Sequence, residues 1–373
     1  MSQTLAIAAA QSGQSWDQIT GPLSIGGVKV ELIDPLNVPE WDREVLSHPE
    51  ANIFHLSAWA KVLSASYGHK PLYLRFSREG RLAALLPIME VKSFFTGVRG
   101  VSLPFSDFCS PLIFDQAIGI FPLLEEVIRL GVTRHWKYFE TRSNALTADF
   151  SPAGERFYGH ELDLTPGRSS LLAGLAPSVR RAIRKAENSN IQVEVTQTLE
   201  SMFEFYRLHL ETRRRHGVPP QPLAFFGHIH REIIGPGNGF IVHARLNQTP
   251  VASAVFFHAG TEALYKYGAS NRQCQCYRAN NLVMWKAIEH LCQLGFRRLL
   301  FGRTELANDG LRRFKRNWGE REYELKYFRF ERAIRPVTGG SARARSGLYT
   351  HIFRNLPIVL NQAIGKLAYP HLD

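Results

Sequence analysis

Apolar runs and polar turns follow the same plan in both halves of this chain. In each half, two short apolar runs are joined by about three turn-forming residues, a pattern that predicts a β-hairpin. The runs are 71–77 and 81–91, joined by 78–80, and 239–246 and 250–258, joined by 247–249. The sequence therefore predicts one hairpin in each half.

The segments after the two hairpins also correspond. Each hairpin is followed by an apolar stretch, a helix and a further strand. These are 103–114, about 116–130 and a strand ending at Arg142 in the first half, and 262–269, 282–294 and a strand ending at Arg303 in the second. Corresponding points lie about 160 to 170 residues apart, which predicts two copies of one α/β unit.

The same pattern predicts four consecutive parts. Residues 1–27 mix Gln, Ser, Gly and Ala without periodicity, so we expect a disordered arm. A chain of 373 residues is long for one core. We therefore predict domains at 28–165 and 166–332, followed at 333–373 by a basic linker and an amphipathic tail.

The tail has two interpretations. Its apolar positions could lie on an anionic membrane, helped by the flanking Arg354 and Lys366, or could dock onto the protein's own surface. These positions are Ile352, Phe353, Leu356, Val359, Leu360, Ile364 and Leu367.

The chain is basic, with 45 Lys and Arg against 33 Asp and Glu and a formal net charge of +12. Residues 297–335 hold 12 basic and 6 acidic residues, so half of the excess lies there. Such a field favours phosphate-bearing or other acidic partners over basic ones. Solubility alone is the alternative explanation.

The cysteines argue against a disulfide framework or a zinc knuckle. Cys109, Cys274, Cys276 and Cys292 are few and irregularly placed, and a single residue separates Cys274 from Cys276 where zinc knuckles have at least two. We expect reduced thiols and no metal site. A signal-peptide pattern and a run of about 18 apolar residues are both missing, which favours a cytoplasmic location.

Helix 282–294 combines a core face with a candidate anion site. Leu282 and Trp285 begin its apolar face. Arg278, Asn280 and Asn281 precede this face, where unpaired backbone N–H groups and the helix dipole attract anions. The turn contains no glycine, which disfavours tight wrapping around a pyrophosphate.

Helix 310–318 is the candidate catalytic helix. Leu311, Phe314 and Trp318 share one face at helical spacing. This pattern predicts that Lys315 points into solvent or into a cleft. There its ammonium could stabilise a developing oxyanion, or it could be an ordinary solvated lysine.

Two further basic segments allow a structural or a functional interpretation. The helix that opens at Pro177 gathers Arg180, Arg181 and Arg184 on one side. Helix 199–217 ends in several arginines, which complement the helix dipole whatever the function.

Four short motifs after residue 265 match one known family. They are Tyr267-Gly268-Ala269-Ser270, then Arg278 and Asn280 ahead of Leu282-Val283-Met284-Trp285, then Phe301-Gly302-Arg303-Thr304, and finally Gly310-Leu311-Arg312-Arg313-Phe314-Lys315-Arg316-Asn317-Trp318-Gly319. Together they resemble the C-terminal half of the FemAB-like acyltransferases, which have the GNAT (N-acyltransferase) fold. The resemblance implies an α/β protein of two tandem GNAT-like domains, with mixed sheets flanked by helices.

The resemblance also implies roles for individual residues. Phe314 and Lys315 match a Phe-Lys pair beside the acyl donor, where the lysine would bind the donor's terminal phosphate or polarise the reacting carbonyl. Thr212 and Arg215 match a Thr-x-x-Arg arrangement, and Lys61 matches the lysine of an early Trp-x-Lys. Both matches are associated with phosphates of the acceptor.

Arg303 and Leu300 complete the comparison with the family. Arg303 would contact an anionic substrate, or else pair with Glu305 or Asp309. Many relatives carry an acidic residue where this chain has Leu300. Without that carboxylate, the proton would leave through a substrate group or through water.

The resulting hypothesis is an enzyme that transfers an acyl or aminoacyl group to an amine of a cell-wall or polysaccharide precursor. The amine would attack an activated ester or thioester directly, because motifs for covalent nucleophiles are missing. Acyl-CoA or aminoacyl-tRNA would be the donor co-substrate, and a nucleotide- or lipid-linked saccharide the acceptor. One alternative is an acetyl-CoA-dependent N-acetyltransferase of exopolysaccharide biosynthesis, and another is a non-catalytic binding protein of an envelope polysaccharide system.

Overall fold

The computed structural model describes residues 27–144, 154–331 and 347–373. The predicted arm, apart from Gly27, and the linker at 332–346 lie outside these residues. The strands are β1 Val28–Ile33, β2 Lys70–Pro71, β3 Tyr73–Arg78, β4 Arg81–Leu86, β5 Met89–Ser93, β6 Gly97–Val101, β7 Leu112–Ile113, β8 Tyr138–Arg142, β9 Glu155–Asp163, β10 Gln192–Thr196, β11 Gly239–Leu246, β12 Thr249–Ala259, β13 Glu262–Ser270, β14 Arg298–Leu300, β15 Thr304–Glu305 and β16 Arg321–Glu331.

The α-helices are α1 Trp41–Leu46, α2 Ser57–Tyr67, α3 Phe121–Thr133, α4 Gly167–Gly174, α5 Pro177–Asn188, α6 Leu199–Arg215, α7 Leu223–Ile229, α8 Ala279–Gln293, α9 Asp309–Arg316, α10 Gly347–Asn355 and α11 Ile358–Ala368. A π-helical turn at His230–Ile234 follows α7, and short 3₁₀ turns occur at Pro35–Asn37, Gln275–Tyr277 and Tyr369–His371.

The chain divides into two compact units, each assembled from separated segments. Unit 1 contains residues up to Phe157 together with Leu325–Arg343 and Pro370–Asp373. Unit 2 contains Tyr158–Glu324 and Ala344–Tyr369. The sequence suggested consecutive domains instead, because hydrophobic periodicity does not show that the second half of β16 pairs with β8 in unit 1.

Unit 1 is built on two sets of strands. Strands β1, β3, β4 and β7 form an antiparallel sheet in that order. In the second set β5 pairs antiparallel with β6, and β6 pairs parallel with β8 through the connection that contains α3. Phe76, Trp136 and Phe139 are fully buried in the core between the strands and α3.

Unit 2 repeats that connection within a larger sheet. The order is β10-β11-β12-β13-β14-β9. Strands β12 and β13 are antiparallel, and β13 then runs parallel to β14 through α8, but only over Glu262–Leu264 and Arg298–Leu300. Trp285 and Leu291 of α8 are buried in the core. The predicted pair of α/β units is therefore present.

Two details of the first half differ from the prediction. The predicted strand at 81–91 is divided into β4 and β5. The stretch at 103–114 contains only the short strand β7, and the counterpart of β13 is β6. Leu103 and Phe105 have φ angles of 55° and 58°, and this left-handed conformation is incompatible with an extended strand.

The tail packs against unit 2. Helices α10 and α11 both contact α6. A Cβ atom on Gly217 would overlap Thr350 of α10, and one on Gly365 of α11 would overlap the carbonyl oxygen of Pro220. Asn361 is buried and its amide donates to the carbonyl of Phe353 at 2.9 Å. Of the two interpretations of the tail, docking onto the protein itself is the one observed.

Candidate functional site

A cleft of about 190 Å³ opens in unit 2 beside the N-terminus of α8. The ends of β12 and β13, the turn before α8 and one side chain of α9 line it. The lining residues are Val251, Ala252, Ser270, Asn271, Cys274, Gln275, Arg278, Ala279, Asn280, Asn281 and Phe314. The structure thus brings Arg278, Asn280, Asn281 and Phe314 around one space, although Phe314 lies far from the others in sequence.

The first turn of α8 gives this cleft its polarity. Arg278 is the N-cap residue and adopts a left-handed conformation with φ 62°, without a side-chain capping hydrogen bond. Its guanidinium is exposed, and no carboxylate of the described residues lies within ion-pair distance. The N–H groups of a first helical turn have no partner within the helix. Together these groups provide an electropositive wall suited to a carbonyl oxygen or a phosphate.

Helix α9 contributes Phe314 and Lys315 in different ways. Phe314 is half-buried and faces the cleft. Lys315 is only 3% exposed, and its ammonium donates to the carbonyl oxygens of Gly302 and Arg303 at 3.1 Å and 2.9 Å. The prediction that Lys315 points into solvent or a cleft is wrong. The apolar residues Leu311, Phe314 and Trp318 predicted the wrong buried face of this helix. Not all three side chains face the core, whereas that of Lys315 does.

Lys315 fixes the loop that follows β14. A buried ammonium requires hydrogen-bond acceptors, and the two carbonyls that it contacts belong to the turn in which Gly302 has φ 64°. Arg303 is half-buried in the same turn, and Leu300 just before it is 6% exposed.

A second and wider space, which we call the arginine groove, lies at the C-terminal end of α6. Its volume is about 700 Å³, and its lining residues are Glu211, Arg214, Arg215, Asn271, Arg272, Gln273, Arg354 and Ile358. Thr212 is buried, and its hydroxyl accepts from the N–H of Ser270 at 3.1 Å. Arg215 donates to the carbonyl of Ser270 at 3.0 Å. Thr212 therefore anchors α6 to β13, whereas Arg215 lines the groove.

The cleft and the arginine groove adjoin each other. Asn271, the residue after β13, lines both. A molecule in the groove and a molecule in the cleft can therefore meet beside one residue. Sequence reasoning missed Asn271 and Arg272, although both directly follow the Tyr267–Ser270 motif, and it treated Arg354 only as a flank of the tail.

A family match coincides with this part of the chain. Residues 176–316 match the model of an acetyltransferase (GNAT) domain. This segment is a GNAT domain. The prediction of an acyltransferase is confirmed, and the matched region contains both the cleft and most of the arginine groove.

Solved structures extend the likeness beyond the GNAT domain. FemX has a TM-score of 0.65 at 14% identity, with 87% of this chain and 100% of FemX covered. A tandem GNAT protein from the clavulanic acid biosynthesis pathway has a TM-score of 0.54 at 11% identity, covering 82% and 98%. L-PGS from Bacillus licheniformis has a TM-score of 0.51 at 15% identity, covering 86% and 98%. These likenesses confirm the predicted FemAB-like GNAT fold, and no curated protein matches the sequence.

An ion network braces α9 within the GNAT domain. Arg312 pairs with both carboxylate oxygens of Glu322, at 2.9 Å and 2.6 Å, and its guanidinium lies 3.7 Å from the ring centroid of Tyr158. Glu322 also contacts Nε2 of the buried His160 at 2.8 Å. The bond from Arg312, with that from His160, lowers the pKa of Glu322 to about 2. Tyr158 and His160 are far from Arg312 and Glu322 in sequence, so no local pattern could have indicated the network.

Lys61 belongs to the other unit. It is exposed on α2, and no carboxylate of the described residues pairs with it. Within residues 27–144, 154–331 and 347–373, no group of His, Cys, Asp and Glu has an arrangement that could hold a metal ion. Among the same residues, no helix is long and apolar enough to span a membrane.

Proposed function

We propose that this acyltransferase moves an acyl or aminoacyl group to an amine of a nucleotide- or lipid-linked saccharide precursor of the cell envelope. The observation that supports this proposal most is that Asn271 lines both the cleft and the arginine groove. An electropositive cleft therefore lies next to a groove rich in arginine. The cleft suits the activated end of a donor, and the groove suits the phosphates of an acceptor.

The residues then have the following proposed roles. Arg278, Asn280 and Asn281 hold the donor and stabilise negative charge on its carbonyl oxygen, as preorganised donors do in acyl transfer. Phe314 forms the apolar wall that orients the donor. Arg215 binds an acceptor phosphate, and Lys315 positions the Gly302–Arg303 turn.

Lys61 and Arg303 are each proposed to contact an anionic group of a substrate. Thr212 is proposed to position Arg215 through their common contacts with Ser270.

The reaction is a direct displacement. The amine nitrogen attacks the carbonyl carbon of an ester or thioester, a C–N bond forms, and the bond to the leaving oxygen or sulfur breaks. The amine proton passes to the leaving group or to water, since Leu300 is a buried apolar residue at the position where the family resemblance implies an acid.

Two donors are proposed, aminoacyl-tRNA and acyl-CoA. The glycine-free turn before α8 and the net charge of +12 favour the tRNA. The GNAT domain itself favours acyl-CoA, which would make the chain an acetyl-CoA-dependent N-acetyltransferase of exopolysaccharide biosynthesis. Contact of the tail with an anionic membrane stays a separate prediction, based on exposed side chains such as Val359 and Leu367.

The test offers the full chain acyl-CoA and charged tRNA pools with saccharide acceptors, and identifies products by mass spectrometry. Phe314→Ala should lower turnover about a hundredfold, because a misplaced donor loses the reactive geometry. Leu311→Ala on the same helix is the matched control, since Leu311 does not line the cleft.

Salt dependence separates the two donors. Binding of tRNA should weaken with a log–log slope of about 0.7 to 0.9 for each phosphate contacted. Binding of tRNA that does not change with salt, together with tight binding of coenzyme A, would identify acyl-CoA as the donor. Equal turnover in the Phe314→Ala and Leu311→Ala variants would show that the cleft takes no part in the reaction.

A further inference from the structure

The turn between β5 and β6, residues 94–96, presents two adjacent aromatic side chains to solvent, and we call it the aromatic turn. Phe94 and Phe95 are 95% and 77% exposed, whereas the next most exposed phenylalanine of the described residues, Phe203, is 39% exposed. The two rings contact each other edge to face, with centroids 5.7 Å apart. They form one continuous apolar patch at the tip of a hairpin. Such a patch typically marks an interaction surface.

The backbone of the aromatic turn is fixed by its neighbours. The N–H groups of Phe95 and Thr96 both donate to the hydroxyl of Ser93, at 3.2 Å and 3.0 Å. Gly97 follows with φ 84°, a conformation that favours glycine. The hydroxyl of Thr96 accepts from the buried Arg99 at 2.7 Å. Both rings are therefore displayed by a well-defined turn.

The last residues of the chain support the turn from one side. His371 meets the ring of Phe95 edge to face, with centroids 5.0 Å apart, and its carbonyl oxygen accepts from Arg99 at 2.9 Å. Asp373 accepts from Arg99 at 2.6 Å and from the hydroxyl of Tyr138 at 3.0 Å. These contacts hold the turn in place and still leave most of the Phe95 ring in solvent.

The charges beside the aromatic turn are mainly positive. In 89–101 and 134–138 the basic residues are Lys92, Arg99, Arg134 and Lys137, and the one acidic residue is Glu90. The side chain of Lys92 is 69% exposed and lies 3.6 Å from the buried Glu90, which also pairs with Arg134. Lys137 is exposed and pairs with no carboxylate of the described residues. A Cβ atom on Gly97 would overlap its side chain, so Lys137 lies beside the turn.

The size and shape of this feature favour a lipid surface over a protein partner. Two phenylalanine rings expose at most about 500 Å², less than the roughly 800 Å² that each partner contributes to a standard protein interface. The tip of a hairpin is also convex. A bilayer interface accepts a small convex contact, because single apolar side chains enter it while nearby lysines attract anionic headgroups.

We propose that the aromatic turn is a membrane-insertion site, in which Phe94 and Phe95 enter the interface of an anionic bilayer while Lys92 and Lys137 contact its headgroups. The site belongs to unit 1 and is separate from the helices of the tail. The inference goes beyond the proposed acyl transfer, because it requires neither a donor nor an acceptor.

The test measures sedimentation of the full chain with vesicles of phosphatidylcholine that contain about a third phosphatidylglycerol. In Phe94→Ser/Phe95→Ser the partition coefficient should fall at least about tenfold, because two rings are lost from the interface. The melting temperature should not change, since both side chains are exposed. Phe94→Leu/Phe95→Leu should retain most of the binding. Leu294→Ser is the matched control, because it removes an exposed apolar side chain from unit 2.

The lysines separate electrostatic attraction from insertion. Lys137→Gln should weaken binding to the anionic vesicles about fivefold, as expected for one basic residue near such a surface. Binding to vesicles of phosphatidylcholine alone should not change. Lys185→Gln on α5 is the matched control, because Lys185 is also exposed and pairs with no carboxylate among the residues described.

A fluorescent side chain in the turn reports insertion directly. The Phe95→Trp variant should show emission at shorter wavelength when anionic vesicles are added, because the indole leaves water. Lipids with brominated acyl chains should quench this emission more strongly than that of the unaltered protein.

Several results would contradict the inference. These are equal vesicle binding by Phe94→Ser/Phe95→Ser and Leu294→Ser, emission of Phe95→Trp that brominated lipids do not quench, or a dimer of the unaltered protein that the two serines abolish while vesicle binding stays the same. Binding that is lost in Val359→Ser/Leu367→Ser but kept in Phe94→Ser/Phe95→Ser would assign the membrane contact to the tail and overturn the inference.

Discussion

Two groups of arginines, one in each unit, serve opposite purposes. In the group of unit 1, Arg142 is 2% exposed and pairs with Glu140 at 3.2 Å, and the other oxygen of Glu140 pairs with Arg329 at 2.8 Å. In unit 2 the arginine groove gathers guanidiniums with exposed or half-exposed side chains, none of which pairs with a carboxylate of the described residues. Arginine is therefore structural in the first group and available to a ligand in the second.

The difference teaches that net charge alone does not locate a binding site. Arg99 of unit 1 illustrates this, because its guanidinium is satisfied by Asp373, by the hydroxyl of Thr96 and by the carbonyl of His371. All three nitrogens of Arg99 donate to protein groups and the residue is only 2% exposed, so a ligand has no access to them. The partners of each charge distinguish the two cases, and they become visible only in the fold.

The largest expected effect is on the paired arginines of unit 1. Replacing Glu140 by Gln removes the charge that neutralises both Arg142 and Arg329, and should lower the free energy of unfolding by about 3 to 5 kcal/mol, as breaking buried ion pairs does. Urea unfolding measures the change. Arg214→Gln in the groove is the control, and should stay within about 0.5 kcal/mol. Comparable losses of unfolding free energy in both variants would contradict the contrast between the paired arginines and those of the groove.

A smaller effect is expected at Lys315, the buried cation of unit 2. Lys315→Met should lower stability by about 1 to 3 kcal/mol, because the carbonyls of Gly302 and Arg303 lose their donor. If Lys315 pointed into solvent or a cleft, as the sequence predicts, the same change would leave folding almost unaffected, so thermal unfolding distinguishes the two orientations. Arg316→Met, at the next and exposed position, is the matched control. A melting temperature equal to that of the control would indicate that Lys315 is a solvated surface residue.

The smallest expected effect concerns acid. Burial raises the pKa of Glu90 in unit 1, but hydrogen bonds from Arg134 and Trp136 outweigh it, so the folded-state pKa lies below the ordinary value of 4.5. The carboxylate therefore stabilises the fold above about pH 4.5, and this contribution is lost as the pH falls through the folded-state pKa.

Melting curves between pH 7 and pH 3 measure this effect. The Glu90→Gln variant should lose less of its own stability on acidification than the unaltered protein loses. Glu187→Gln, at an exposed position of α5, should follow the unaltered protein. Parallel curves for all three proteins would show that the Glu90 pair does not contribute to acid sensitivity.

The sequence was sufficient for elements that depend on local pattern. The hairpin of β11 and β12 follows from two apolar runs and a short turn, and α8 follows from apolar residues at helical spacing. The position of Arg278 and Asn280 at the N-terminus of α8 could also be predicted, because a helix N-terminus is a local feature.

Contacts between distant residues could not be predicted in this way. The inward turn of Lys315 depends on carbonyls supplied by the loop after β14, and no periodicity encodes an acceptor. The fourth arginine of the groove, Arg354, reaches Arg215 across 139 positions of sequence. Such pairs form only in the folded chain, so they can indicate a function only once the fold is known.

The divided composition of unit 1 has a consequence for synthesis of the protein. Strand β8 is completed at Arg142, yet its partner residues Tyr327–Glu331 are translated only after Glu324, the end of the main segment of unit 2. Until then the emerging first unit carries an unpaired strand edge, a feature that invites aggregation. A nascent chain arrested between these points should need a chaperone, and a fragment that ends near residue 165 should not reach a native state.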